Sequence, residues 1–132
     1  MKVLFVCSGN AYRSPVAEAL FKKLRPDVSV DSAGTNVVIP ISDETIRYLT
    51  KENAKGLLKE SPEDLDDKPL NEYHLIVAME PRHKELILSS YPECAERIEV
   101  WNIEDPYFLP PGHTEKVFNK IKEKVVNLAQ SL

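Results

Sequence analysis

The residues of this chain best placed to do chemistry lie at 6–15, VCSGNAYRSP. Cys7 closes an apolar run, small polar residues follow, and Arg13 and a Ser-Pro pair end the stretch. Gly9 and Asn10 tolerate left-handed backbone, which turns successive N–H groups inward to form an anion-binding nest. A helix started by Ser14 and Pro15 adds the positive end of its dipole at the same point. Arg13 folded over the mouth can grip two phosphate oxygens at once, a geometry that lysine does not offer. A cysteine so surrounded is favoured as the thiolate. Ser8, Gly9, Asn10, Ala11, Tyr12, Arg13 and Ser14 therefore read as a phosphate-sized cradle around a nucleophile, Cys7. The Cys-to-Arg spacing alone is weak evidence. Its weight comes from the buried strand before it, the Gly-Asn within it and the helix start after it.

Strands and helices must hold that loop. Val3 to Val6 and Leu75 to Met79 are continuous apolar runs, the pattern of strands buried on both faces. VSVDS (Val28 to Ser32) and RIEVW (Arg97 to Trp101) alternate apolar with polar and belong at the edges. Strands alternating with helices predict an α/β fold: a three-layer domain over residues 1–132, with a four-stranded parallel sheet of order 2-1-3-4 and helices on both faces. That order reverses direction between strands 1 and 3, and ligand crevices lie beyond the carboxyl ends of strands at such a point. Cys7 sits at the carboxyl end of strand 1.

Helix starts are expected at Ser14 as N-cap with Pro15 following, at Ser42 before Asp43-Glu44, at Ser61-Pro62 for a short helix, and at Pro81. Gly56 is expected just beyond the second helix, and a last helix over Thr114 to Leu128 carries Val117, Phe118, Ile121, Val125 and Leu128 on one face. The charged segment from Lys59 to Pro69 reads as a solvated crossover.

The chain has 132 residues and a formal net charge of −4, with no long basic run, which argues against a nucleic-acid or membrane partner. No apolar stretch reaches membrane-spanning length and no signal peptide is evident, so the expected location is cytoplasmic. The two cysteines, Cys7 and Cys94, make neither a disulfide framework nor a metal site, and no cofactor is implied. His74, His83 and His113 read as packing or surface residues, and Trp101 as core.

With these motifs on the page, the sequence resembles the low-molecular-weight protein tyrosine phosphatases. The resemblance rests on VCSGNAYRSP, DSAGT (Asp31 to Thr35), LIVAM (Leu75 to Met79) and DPY (Asp105 to Tyr107), and it covers nearly the whole chain. It implies that Cys7 is the nucleophile, that Arg13 binds phosphate, that Ser14 stabilises the thiolate, that Asn10 holds the loop in shape and that Asp105 is the general acid. It also implies a cysteine-dependent phosphomonoesterase acting on phosphorylated proteins or small aryl phosphates, releasing inorganic phosphate without a cofactor. Protein arginine phosphatase, arsenate reductase and a non-catalytic phosphate-binding module are the alternatives.

Asp105 also has a physical case of its own. Expelling an oxyanion from phosphate needs a proton, and hydrolysing the covalent intermediate needs a base; one carboxyl can do both. Asp105 follows the fourth strand, so parallel topology puts it on the rim that carries Cys7, and Pro106 stiffens its backbone. Tyr107 is expected to wall the substrate pocket together with Ala11.

Three departures from the family pattern bear on function. Tyr12 stands where a second cysteine is common, so the nucleophile lacks a neighbouring thiol. Ala11 replaces a larger residue and leaves a phosphotyrosine ring to be gripped mainly from the Tyr107 side. A histidine that braces the loop asparagine in the family is missing, with Glu60 near its place.

Overall fold

The computed structural model describes residues 1–110 and 112–132. Its strands are β1 (Lys2–Cys7), β2 (Ser29–Gly34), β3 (Leu75–Ala78) and β4 (Ile98–Val100), and its α-helices are α1 (Arg13–Leu24), α2 (Asp43–Lys51), α3 (Pro81–Ser90) and α4 (His113–Ser131). The strands form one parallel sheet of order β2-β1-β3-β4. The predicted order and edge strands are those observed.

The pleat of β1 sorts its side chains into two apolar cores. Val3, Phe5 and Cys7 join α1, α2 and α4 on one face, whereas Leu4 and Val6 join Ile76, Ile87, Leu70 and Cys94 on the other. Phe5 packs between Phe21 and Trp101, with ring centroids 6.0 and 5.5 Å away. Burial of each such ring contributes about 1.5–3 kcal/mol, and it fixes β1, and hence the end at Cys7, against α1. The face of α4 predicted from periodicity, Val117, Phe118, Ile121, Val125 and Leu128, is buried as expected. No helix among the described residues is long and apolar enough to cross a membrane.

Several local expectations are corrected. Helix α1 begins at Arg13, and Tyr12 rather than Ser14 is its N-cap, with no side-chain capping bond. Ser14 is diverted because its hydroxyl is bound by Cys7 and Asn10. Pro15 still fits, since the first-turn N–H it lacks has no helical partner. Ser42 does cap α2, accepting from Thr45 N at 3.1 Å. That helix ends at Lys51 with Asn53 in left-handed backbone at φ 58°, so Gly56 falls further on, within a 3-10 turn over Lys55–Leu57.

Ser61-Pro62 starts no α-helix; the segment makes only a 3-10 turn over Leu65–Asp67, capped by Asp64. The chain there is drawn to the end of β2 instead, where Gly34 N donates to Glu63 O at 2.9 Å and Gly34 bridges Asp64. Nor is the 59–69 segment solvated throughout. The Lys59 and Lys68 side chains are only 6% and 8% exposed, held by Asp31 and Glu63, with Glu18 also beside Lys59.

Candidate active site

Strand β1 delivers Cys7 to the carboxyl rim of the sheet, and the chain then curls through residues 8–12 into α1. The curl depends on one left-handed residue, Asn10 at φ 53°. Gly9 does not share that conformation, and a Cβ there would meet only Ala11 Cβ at 3.9 Å. The glycine that the loop requires is Gly34, at the end of β2. A Cβ on Gly34 would sit 2.6 Å from the Ser8 carbonyl oxygen and 2.9 Å from Asn10 N, closer than atoms can pack. Thr35 N and Asn36 N then donate to Cys7 O and Ser8 O at 3.0 and 2.8 Å, holding the loop down. Among the described residues, the N–H groups of Gly9 to Tyr12 donate to no protein acceptor.

A chain of hydrogen bonds with fixed directions reaches the sulfur. Asn10 Oδ1 accepts from Glu63 N at 2.8 Å and from the Lys59 ammonium at 3.1 Å. Both partners can only donate, so the amide's orientation is settled and its Nδ2 faces Ser14 Oγ at 2.8 Å and Ser32 Oγ at 3.0 Å. Ser14 accepts in that bond and has its own hydrogen to give. Cys7 Sγ lies at 2.9 Å and the competing Ala33 carbonyl at 3.5 Å, so the hydroxyl donates to sulfur. Asn10 is thus braced by Lys59 and the Glu63 backbone N–H, on either side of Glu60, the residue near the place of the family's missing histidine.

Arg13 is almost wholly buried. Its Nη1 donates to Glu80 Oε2 and to Ile103 O, both at 2.7 Å, and its Nη2 lies 3.5 Å from Asp105 Oδ2. Burial alone would raise the Glu80 carboxyl, but hydrogen bonds from Arg13 and Arg82 hold it below its ordinary value. Asp105 caps the 3-10 turn Pro106–Phe108 by accepting from Tyr107 N at 3.0 Å. Residues 98 positions apart in the chain, Cys7 and Asp105, therefore line one cavity of about 250 Å³ together with Ser8, Gly9, Ala11, Tyr12 and Arg13. Asn36, Val38, Ile39, Arg82, Tyr107 and Phe108 complete its walls.

Ala11 and Tyr107 both line the cavity, with Tyr12 beside them. Ala11 reaches the cavity but is buried, its carbonyl accepting from Ser42 N and Thr45 Oγ1. The aromatic surface comes from Tyr12 and Tyr107, which meet edge to face with centroids 6.4 Å apart. Burial, with Glu44 and Asp105 nearby, raises the Tyr12 phenol above its ordinary pKa, so it stays neutral. Cys94 is buried in the core behind the sheet, away from the face that holds Cys7.

The family model for low molecular weight phosphotyrosine protein phosphatase matches residues 2–132. The chain belongs to that family. The phosphatase is 29% identical over 138 residues to a putative low molecular weight protein-tyrosine-phosphatase of Klebsiella pneumoniae, a match covering 98% of this chain and 96% of the relative. Among solved structures, the low molecular weight protein tyrosine phosphatase from T. tengcongensis superposes with a TM-score of 0.88 at 31% identity, over 100% of this chain and 99% of that one. Vibrio vulnificus Wzb in complex with benzylphosphonate gives a TM-score of 0.89 at 26% identity, over 99% and 98% of the two chains. The family's members are hydrolases, and its cysteine-dependent chemistry is what the 6–15 motif suggested.

Proposed function

We propose that the phosphatase, acting as one domain, hydrolyses phosphotyrosine in proteins and small aryl phosphates through a phosphocysteine on Cys7, with Asp105 as proton donor and then acceptor. The observation that carries this reading is the Ser14–Cys7 hydrogen bond of 2.9 Å on the wall of the cavity that Arg13 and Asp105 share. Glu80 and Ile103 occupy Arg13 Nη1, which leaves the Nε–Nη2 edge of the guanidinium for two phosphoryl oxygens.

The loop N–H groups would receive the remaining oxygens. Cys7 sulfur attacks phosphorus as the P–O bond to the tyrosine oxygen breaks, and Asp105 protonates the departing phenolate. Water then attacks the phosphocysteine and gives its proton to Asp105. Inorganic phosphate leaves and the thiolate returns. Neither step calls on a metal or an organic cofactor.

The Tyr12–Tyr107 pair supports an aryl leaving group, which the Vibrio vulnificus relative's benzylphosphonate ligand resembles. The unpaired thiols of Cys7 and Cys94 suit a reducing compartment, so a cytoplasmic location is part of the proposal.

The test is steady-state hydrolysis of an aryl phosphate series, with and without a chelator. Cys7→Ser should abolish turnover yet retain phosphate binding, since the loop N–H groups and Arg13 remain. Asp105→Asn should slow esters of basic phenols far more than those of acidic ones, which leave without a proton. A uniform loss across the series would return Asp105 to a purely structural role. Phosphotyrosine peptides should have a higher kcat/KM than phosphoarginine peptides; the reverse order would assign the same chemistry to an arginine phosphatase.

A further inference from the structure

His83 has no part in the steps above, yet it is fully buried and touches the phosphate loop. Its two nitrogens have fixed roles. The backbone N–H of Glu80 can only donate, and it does so to His83 Nδ1 at 3.1 Å. In a neutral ring the proton must then sit on Nε2. The ring is neutral because burial, with the Arg13 and Arg82 guanidiniums nearby, pushes its pKa down to about 4. Nε2–H therefore donates to Ser8 Oγ, 2.9 Å away. In that bond the serine oxygen is an acceptor, so its own hydrogen points elsewhere. Among the described residues Ser8 Oγ has no second protein partner, and Ser8 lines the cavity beside Cys7 and Arg13.

We propose that the Ser8 hydroxyl is a substrate-facing donor to a non-bridging oxygen of the transferring phosphoryl group, and that His83 is the positioning residue that sets its direction. This rests on the phosphatase reading. A free serine hydroxyl rotates among staggered positions and accepts as readily as it donates. With a lone pair occupied by His83, it presents its hydrogen to the cavity. Negative charge is spread over the phosphoryl oxygens during transfer, where a donor already in place needs no reorganisation. The arrangement parallels the other side of the loop, where Asn10 donates to Ser14 and Ser14 donates to Cys7. The hydroxyls of Ser8 and Ser14 are each turned into a donor by a buried imidazole or amide behind it.

The experiment is a double-mutant cycle on kcat, KM and vanadate inhibition with an aryl phosphate. Ser8→Ala should lower kcat/KM about tenfold and weaken vanadate more than inorganic phosphate, whereas Ser8→Thr, which keeps the hydroxyl, should stay within twofold of wild type. His83→Leu should cost a similar factor in the wild-type background and nothing further on top of Ser8→Ala. If His83→Leu does not fold, His83→Phe is read in the same cycle, and the Ser8 variants stand independently. Ser8→Ala within twofold of wild type in both kcat/KM and vanadate affinity overturns the proposal. So does a His83 loss of equal size in the Ser8→Ala background, which would make the imidazole a packing group. Failure of the phosphatase reading itself would look different, since wild type would then lack Cys7-dependent turnover.

Discussion

Lys59 donates from its ammonium to the side-chain oxygen of Asn10 at 3.1 Å, across 49 positions of sequence. That bond joins the nucleophile loop to a partly buried ion cluster. Lys59 also lies 2.5 Å from Glu63, 3.6 Å from Asp31 and 3.8 Å from Glu18, while Lys68 pairs with Asp31 and Glu63. Burial would raise the Asp31 and Glu63 carboxyls, but hydrogen bonds from the lysines hold both below their ordinary values. The shape of the loop therefore depends on charges that lie outside it.

Lys59→Met should act on stability and on the site together. It leaves Asp31 and Glu63 with Lys68, and Glu18 with Lys22, as remaining lysine partners. Because the Asp31 and Glu63 side chains are 33% and 44% exposed, the loss should fall below the roughly 3–5 kcal/mol of a fully buried pair broken from one side. It also removes one of the two donors that fix the Asn10 amide, the Glu63 N–H being the other, which loosens the Ser14 donation to Cys7. Urea unfolding should register the first effect and slower alkylation of Cys7 by iodoacetamide the second. Unchanged alkylation in a folded variant would confine Lys59 to the ion cluster.

Tyr12 supplies aromatic wall beside the small contribution of Ala11. Tyr12→Ala should raise KM for aryl phosphates by roughly fivefold, about 1 kcal/mol of lost aromatic contact, with a smaller effect on alkyl phosphates. Ala11→Ile should not improve binding, because that side chain is 1% exposed and added methylenes would overpack the loop. A lower KM in Ala11→Ile would show that the residue does face the ring.

Brief peroxide treatment should inactivate the enzyme without forming a Cys7–Cys94 bridge. The sulfenic acid of Cys7 has no vicinal thiol at Tyr12 to trap it, and Cys94 lies in the core on the other side of the sheet. The same separation leaves an arsenate-reducing thiol relay without a second member. Peptide mass mapping decides the matter, and a Cys7–Cys94 peptide would overturn the expectation.

His83 makes stability pH-dependent in a definable window. Unfolded, its imidazole takes a proton near pH 6.5; folded, facing Arg13, Arg82 and Glu80, it resists protonation until about pH 4. Between those values the unfolded chain binds more protons, so stability falls as pH drops, by up to roughly 3 kcal/mol. The carboxylates of Glu80, Glu63 and Asp31, held below 4.5, 4.5 and 3.8, add their losses at the acid end of this range and beyond. His83→Gln should flatten urea midpoints measured between pH 6.5 and 4.5. An unchanged slope would mean that another group carries it.

Much of this protein was legible in its sequence. The strand order followed from apolar runs and alternations, because the pleat assigns each side chain to a face and burial on both faces demands apolar residues throughout. The position of Cys7 at the switch between β1 and β3, and of Asp105 on the same rim, followed from that order. Ser42 was legible as a cap because its bond to Thr45 is local.

Contacts between distant residues were decided by tertiary structure. Ser14 reads as an N-cap until β1 brings Cys7 against its hydroxyl. Ser61-Pro62 reads as a helix start until the end of β2 claims the Glu63 backbone. Lys59 and Lys68 read as solvated until Asp31, Glu63 and, for Lys59, Glu18 close around them. Gly34 is needed because the loop from another strand lies on it, and His83 meets Ser8 across 75 positions. Helix caps and strand faces obey short-range geometry that sequence spacing encodes. Which hydroxyl, amide or ammonium a loop residue meets depends on where packed elements leave one another, and that is fixed only when the whole sheet and its helices are in place.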